Sequence, residues 1–503
     1  MERNQATLVR CLNLRPSESG LAPYEPIKPA VRNAELGLAG VTVRWPFPQL
    51  FQGATVTLVA DETAIYELDE QFGRLTHVAL FDPGDDGDTD AESPIIAGGP
   101  WHFADFQGCW LLSNGQCLVY KRSDDYFVRV IAAQINALCK HNQRLFWSMS
   151  DVYSESWEML LAGWITRAPA AFAPAQQLSE LETLPTNMVL WTNVNTLAMF
   201  WWLLDPTLVS VGDLATHDTT HKLITELDAR GDWGFAPATF TGDCIALKPV
   251  GKHVIAYGTN GVSRYTPVNE YAPTCAVTSV DDIGIFGRCA VAGDDKRHLW
   301  LSTNRALMTI GPESGASYLD YKEFGAEFGP NVLGSYDSEQ DVRYLSDGQF
   351  TLFQTESGIA QCSECPTGLM HSMGELKGVI RDSGDNKQLA EITIGLIDFG
   401  IRGEKTIDEV RCAGTLPASS EERGSAYASC EYRNSPSEDW QRDINVPLDD
   451  YGCAVLTNTA LEHRIVIGCD NQEGMSINEV QLTWQLQDQR FTESSPKQRS
   501  VSL

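Results

Sequence analysis

Hydrophobic and polar positions alternate with a period of two through much of this chain. Neighbouring side chains of a strand face opposite sides, so this period marks half-buried β-structure. Thr55-Val56-Thr57-Leu58-Val59 and Ala64-Ile65-Tyr66-Glu67-Leu68 are such runs, and Asp61-Glu62-Thr63 between them has the composition of a turn. Cys109-Trp110-Leu111-Leu112-Ser113 and Gln116-Cys117-Leu118-Val119-Tyr120 flank Asn114-Gly115. Asn-Gly between strand-like runs predicts a hairpin with a type I′ turn, which needs positive φ at both central residues. The device recurs at Asn260-Gly261, between Val254-Ile255-Ala256-Tyr257 and Val262-Ser263-Arg264-Tyr265. Asp347-Gly348 is a close relative, and a fourth hairpin is predicted at Asp294-Asp295, ahead of His298-Leu299-Trp300-Leu301.

These hairpins fall in two blocks, residues 51–165 and 236–384. Many short strands joined by tight turns predict a β-propeller, whose blades take about four strands each. There is no strict repeat and no Gly-His…Trp-Asp signature. Residues 1–50 are punctuated by Pro16, Pro23, Pro26, Pro29, Pro46 and Pro48. Proline lacks the backbone donor and fixes φ, which argues against a long helix or a central strand. This predicts an extended N-terminal arm, with Leu8, Val9, Leu12 and Leu14 seeking a neighbouring subunit. Residues 166–235 change character: an Ala- and Pro-rich linker over 168–175, then helices over 196–204 and 216–230, the second with Thr216 as N-cap and Gly231 beyond its end. They predict a helical insertion projecting from the propeller. Met199-Phe200-Trp201-Trp202 cannot all face one side of a helix, so this helix is expected to be covered all round, at an interface between subunits. Six strand-like runs over residues 385–492 predict an antiparallel β-sandwich. Residues 493–503 are polar and read as a flexible tail. The expected fold is mainly β: a propeller with a helical insertion and a C-terminal antiparallel β-sandwich.

Composition narrows the function. The 503 residues carry 37 basic and 67 acidic side chains, a formal net charge of −30. That argues against a broad grip on nucleic-acid phosphates, which needs Lys and Arg to displace counterions. It predicts acidic side chains facing any central channel. The longest apolar run, Leu197 to Leu204, is far short of the roughly 20 residues that span a bilayer. The opening Met1-Glu2-Arg3-Asn4-Gln5 predicts no signal peptide. Thirteen cysteines, several inside apolar runs, therefore read as reduced core residues.

Candidate chemistry is sparse. Cys362 and Cys365 have Cys-x-x-Cys spacing with His371 nearby, but a structural zinc site needs a further pair. His217 and His221 stand at i and i+4 with Asp218 between, a spacing that can chelate zinc, yet no third ligand is evident and a packing face explains them better. Asp86, Asp88 and Asp90 alternate like the first ligands of a calcium loop, but Ala91 and Ala97 stand where that loop needs Gly and Glu, so they read as a solvated acidic loop. Trp101, Trp110, Trp147 and Trp300 read as core rather than sugar platforms. Carboxylates are too many for sequence to single out a glycosidase pair. No catalytic, cofactor-binding or metal-binding residue is assigned.

The order of features carries more. Cys11-Leu12-Asn13-Leu14-Arg15-Pro16 with Leu21-Ala22-Pro23, Trp101-His102-Phe103-Ala104-Asp105-Phe106, and Asn142-Gln143-Arg144-Leu145-Phe146-Trp147-Ser148 resemble segments of β-propeller virion proteins of tailed bacteriophages. So do Ile397-Asp398-Phe399-Gly400, Lys405-Thr406-Ile407, Tyr451-Gly452 and Gln485 with Asp488 and Arg490. The resemblance is to tail nozzle or hub proteins. It implies a non-enzymatic virion component, made in the host cytoplasm and assembled as a hexameric ring below the portal and adaptor, through which DNA passes without specific binding. Residues 166–235 match no part of that pattern. A receptor- or glycan-binding tail protein and a propeller-type glycan hydrolase are the alternatives.

Overall fold

The computed structural model describes residues 7–29 without Pro26, 49–83 without Phe72, 98–150 without Asp124, 185–192, 197–205 with Leu208, 233–268, 274–372 without Asp320, 375–382, 389–397, 403–416, 426–470, 475–487 and 497–502. The chain is mainly β. Six antiparallel meanders follow one another along the sequence, each of four strands. The first runs Gln49–Gln52, Thr57–Ala60, Ile65–Asp69 and Arg74–His77. The second runs His102–Phe106, Cys109–Ser113, Cys117–Lys121 and Val128–Ala132, and Leu80–Phe81 adds in parallel at its edge. The third runs Ile135–His141, Arg144–Met149, Met188–Thr192 and Trp233–Pro237. Cys244–Val250, His253–Gly258, Gly261–Pro267 and Cys275–Asp281 make the fourth. Val291–Gly293, His298–Leu301, Leu307–Ile310 and Ser317–Tyr318 make the fifth. The sixth is Leu333–Asp337, Val342–Ser346, Thr351–Gln354 and Ile359–Cys362. A hairpin, Glu364–Ser372 with Glu375–Asp382, follows, and Lys28–Pro29 pairs in parallel with its outer strand.

Each sheet buries a face against the next. Leu58 and Ile65 of the first sheet pack with Leu112 and Val119 of the second. Leu111 and Leu118 on the other face of the second pack with Leu145 and Trp147 of the third. Phe146 and Trp191 then meet Val254 and Tyr265 of the fourth, and Tyr257, Trp300 and Leu345 join the fourth, fifth and sixth. The strand Glu364–Ser372 lies beside the opening strands of both the sixth and the first sheets, and its Met370 joins the first sheet's outer cluster. Gly368 makes that approach feasible, because a Cβ there would stand 2.6 Å from the backbone nitrogen of Leu50.

The C-terminal part has two sheets over one core. Ala390–Ile397, Glu462–Cys469 and Ala426–Arg433 pair in that order, while Lys405–Ala413 pairs between Cys453–Ala460 and Glu479–Leu486. Ile392, Ile394, Ile465 and Ile467 of one meet Ile407, Val410, Leu482 and Trp484 of the other. Ala454, Leu456, Asn458 and Ala460 are buried while their neighbours are not, the alternation of a sheet with one wet face.

Three expectations are corrected. The N-terminal residues 7–29 are no arm laid on a neighbour. Thr7–Leu12 is a central strand, antiparallel to Ala390–Ile397 and parallel to Ile359–Cys362 through Leu12 and Gln361. The prolines sit where a missing donor does little harm: Pro16 and Pro23 in the two-stranded hairpin Leu14–Ser17 with Gly20–Pro23, Pro29 on an edge. Residues 30–48 lie outside the described residues. Next, residues 166–235 are not a wholly helical projection, because Met188–Thr192 and Trp233–Pro237 complete the third sheet. The helix Ala198–Leu204 is covered all round, but by its own chain. Trp202 is fully buried and Trp201 nearly so, against Leu111, Tyr120 and Trp147. The second expected helix, 216–230, lies outside the described residues. Lastly, the tail contributes the strand Lys497–Ser502, paired with Glu479–Leu486.

Two predictions follow from these contacts. Trp201→Asp with Trp202→Asp places carboxylates in a dry core; circular dichroism is expected to show loss of the fold rather than a folded subunit that fails to assemble. Asn13 holds φ at +54°, donates to Leu389 O at 2.7 Å and accepts from Ser363 N at 2.9 Å while buried. Asn13→Ala is expected to cost about 2–4 kcal/mol through lost hydrogen bonds and left-handed strain. An unchanged urea midpoint would contradict this.

Candidate functional site

Residues from all six meanders border one cavity of about 520 Å³, among them Gln49, His102, Cys139, Lys248, Val291 and Gly334. Its lining comes from runs of consecutive residues in the opening strands and the turns beside them, Gln49 to Ala54, Trp101 to Asp105 and Leu138 to Lys140 among them. Among the lining residues the charged groups are Lys140, Lys248, Arg288 and a single carboxylate, Asp105. Basic groups thus outnumber acidic ones among its lining residues.

Arg288 sits in the turn before the fifth sheet. Its Nη1 donates to Asn114 O and its Nη2 to Ile135 O at 2.9 Å, so carbonyls of two other sheets hold it. Gly115, at φ +88°, leaves room for the guanidinium, since a Cβ there would overlap Nη1. The Nε–H is buried without a hydrogen-bond partner among the described residues, and burial pulls the guanidinium down to about 10. Lys248 keeps part of its surface open, and burial holds its ammonium below the usual lysine range, against the weaker opposing pull of Cys289, Cys139 and Asp294. Among the described residues neither cation forms an ion pair. Asp294 is already engaged by the Tyr336 hydroxyl at 2.8 Å and by Lys296 N at 2.9 Å. Asp105 accepts from Ala54 N at 2.6 Å.

The histidines near the cavity are neutral. His102 Nε2 donates to Ile245 O at 3.0 Å; burial, then Arg288 and Lys248, press its pKa well below the ordinary value. His298 is fully buried, donates from Nε2 to Pro249 O at 2.7 Å and accepts at Nδ1 from the Tyr257 hydroxyl at 2.7 Å. Its pKa is lowered to about 3, chiefly by burial.

The residues singled out from sequence fall elsewhere. His371 Nε2 bonds Asp337 Oδ1 at 2.7 Å and its Nδ1 lies 3.3 Å from Glu339 Oε1. Cys362 instead donates to Glu364 O. Cys362, Cys365 and His371 thus do not gather as ligands, and no group of three metal-ligating side chains exists among the described residues. Trp101, Trp110, Trp147 and Trp300 are buried core. No disulfide joins any of the thirteen cysteines, and ten of them are buried. His217, Asp218, His221, Asp86, Asp88 and Asp90 lie outside the described residues. Sequence reading missed Lys248 and Arg288, because no spacing connects a strand lysine to a turn arginine on another sheet.

No family model matches the chain, and no curated protein matches it. Among solved structures, the extracellular domain described as that of a one component system, BT4673 of B. thetaiotaomicron, aligns over 97% of this chain at 9% identity and a TM-score of 0.39. This chain spans 61% of that one, less than two thirds of its length. The N-terminal domain of Nup159 aligns at 10% identity and TM-score 0.24, covering 78% of this chain and 87% of that one. A structure titled glycoside hydrolase aligns at 9% identity and TM-score 0.24, covering 86% and 82%. Likeness at these scores assigns no function.

Burial of His298 makes stability depend on pH. Its folded value of about 3 lies below the ordinary 6.5, so the unfolded chain takes up the proton first. The contribution is complete above pH 6.5 and is lost as pH falls toward 3, at about 1.4 kcal/mol per pH unit. Denaturation midpoints of wild type and His298→Gln, measured from pH 7 to pH 5, are expected to diverge, with the steeper fall in wild type. Parallel profiles would refute the assignment.

Proposed function

We propose that the chain is a structural subunit of a bacteriophage tail, a nozzle or hub protein that assembles with copies of itself into a ring around the DNA exit path, below the portal and adaptor. In this reading the six meanders and the hairpin Glu364–Asp382 are blades of a propeller, and the two C-terminal sheets form a sandwich. The position of the strand Glu364–Ser372, beside the opening strands of the sixth and first sheets, supports closure of the blades.

The observation that carries the reading is where the resembling segments fall: they are framework in both parts. Trp101 is buried and donates from its ring to Asp61 O at 3.0 Å. Asn142 and Gln143, at φ +46° and +58°, make the tight turn between the third sheet's first two strands. Lys405 is buried and donates to Leu461 O at 2.8 Å and Gly403 O at 3.0 Å, and Thr406 Oγ1 bonds Thr459 Oγ1 at 2.7 Å. Residues spent on holding a fold suit a part whose work is shape. A net charge of −30 suits a conduit wall, which must repel phosphates rather than hold them. A cavity of about 520 Å³ is no passage for a duplex, so the DNA path in this reading lies on the ring axis, between subunits.

Native mass spectrometry of the purified protein is the test, with electron microscopy of the same sample. The expected result is a closed ring of six copies. A monomer at every concentration up to the micromolar range would overturn the proposal.

A further inference from the structure

The central cavity gathers positive charge in a strongly acidic protein. Lys248 and Arg288 line it, and neither meets a carboxylate among the described residues, although the chain carries 67. Taking a cation out of water without a partner is costly, and such cations are normally paired. Of the nearby carboxylates, Asp105 accepts from Ala54 N and Asp294 from Tyr336 and Lys296 N, and neither lies within ion-pair distance of Lys248 or Arg288. Arg288 is also fixed by two backbone carbonyls from other sheets, which carry partial charge only. A guanidinium clamped this way is pre-organised and spends little entropy when it meets a ligand. His102, its donor committed to Ile245 O, stays neutral beside them.

We infer that this cavity is a binding site for a small anion of the carboxylate or phosphate class, seated between Lys248 and Arg288. The volume of about 520 Å³ falls within the range of small-molecule sites. The lysine supplies a mobile point charge and three donors, while the arginine offers a fixed positive wall. The inference rests on the interior of one subunit and stands apart from the tail proposal: a ring could form with the cavity empty, and a monomer could bind the anion.

The experiment is isothermal titration of the full chain with sodium phosphate and, separately, with malonate, each at constant ionic strength set with sodium chloride. The expected result is saturable binding of at least one probe, near one site per chain. Which probe binds tells phosphate from carboxylate ligands. Lys248→Met keeps the aliphatic stem and removes the charge; it is expected to weaken binding about tenfold or more, the scale of one charge-assisted hydrogen bond, while Lys248→Arg retains it. Melting without ligand checks that both variants fold. Absence of saturable binding of either probe to the wild type overturns the inference on its own. So does unchanged affinity in a folded Lys248→Met protein.

Discussion

One strand decides whether this chain is one body or two. Thr7–Leu12 pairs on one side with the last strand of the sixth sheet and on the other with the first C-terminal strand. Without it, both would present open edges of unpaired backbone groups. With it, they belong to a single continuous sheet of ten strands. The side chains follow the backbone. Cys11, Leu14, Leu21, Tyr24 and Ile27 share a core with Tyr344 and Phe353 on one side and with Ile392 and Ile467 on the other. Polar contacts fasten the same seam. Glu364 accepts from Ile27 N at 2.9 Å and from the Tyr24 hydroxyl at 3.2 Å. Glu391 takes Arg442 at 2.8 Å, with Arg10 at 3.6 Å. All of these but Glu391 with Arg442 join residues hundreds of positions apart, so loop closure opposes them until the rest of the chain has been ordered.

Away from the seam, cohesion is serial. Each meander is too thin to bury both faces alone, and each face is dry only because the next sheet covers it. The exception tests the rule. Between the second and third sheets the covering layer includes the helix Ala198–Leu204, whose Phe200 meets Trp147 edge-on with centroids 5.3 Å apart, and whose Trp201 packs on Tyr120 at 4.9 Å. A helix apolar on every side is a core element. The sequence run that reads as an interface is satisfied inside the subunit.

The strands were legible because their period of two is a local signal. Six strands of eight or nine residues fall within 385–492, where six strand-like runs were expected. Turn chemistry was legible in place but not in kind. At Asn114-Gly115 only the glycine has positive φ, and Asn114 Oδ1 accepts from Gln116 N and Cys117 N, both at 2.9 Å. Asp347 repeats this with Gln349 N and Phe350 N. An Asx side chain that caps its own turn removes the need for the mirror-image geometry. Positive φ at both central residues occurs instead at Gln107-Gly108 and Asn142-Gln143, where no Asn-Gly signal stood. The N-terminal segment was misread because proline composition is local, whereas its strand partners lie beyond residue 358. The cavity was illegible for the same reason: its walls come from six sheets, and its cations, Lys140, Lys248 and Arg288, from three segments with no shared spacing.

Charge shows the same divide between sum and place. A net −30 is a property of the whole chain, and it describes long-range repulsion well. It says nothing about a site screened from that field by packed sheets, where sign is set by the nearest groups. Lys248 and Arg288 sit where Asp294 and Asp105 are already committed to other donors. The cavity is thus locally cationic in a chain of net negative charge. For an incoming anion the two fields oppose: the net charge slows its approach, while the cations attract it once inside, the more strongly as water is excluded. The electrostatics therefore favour a small anion over a polyanion, which meets the net negative field along its whole length.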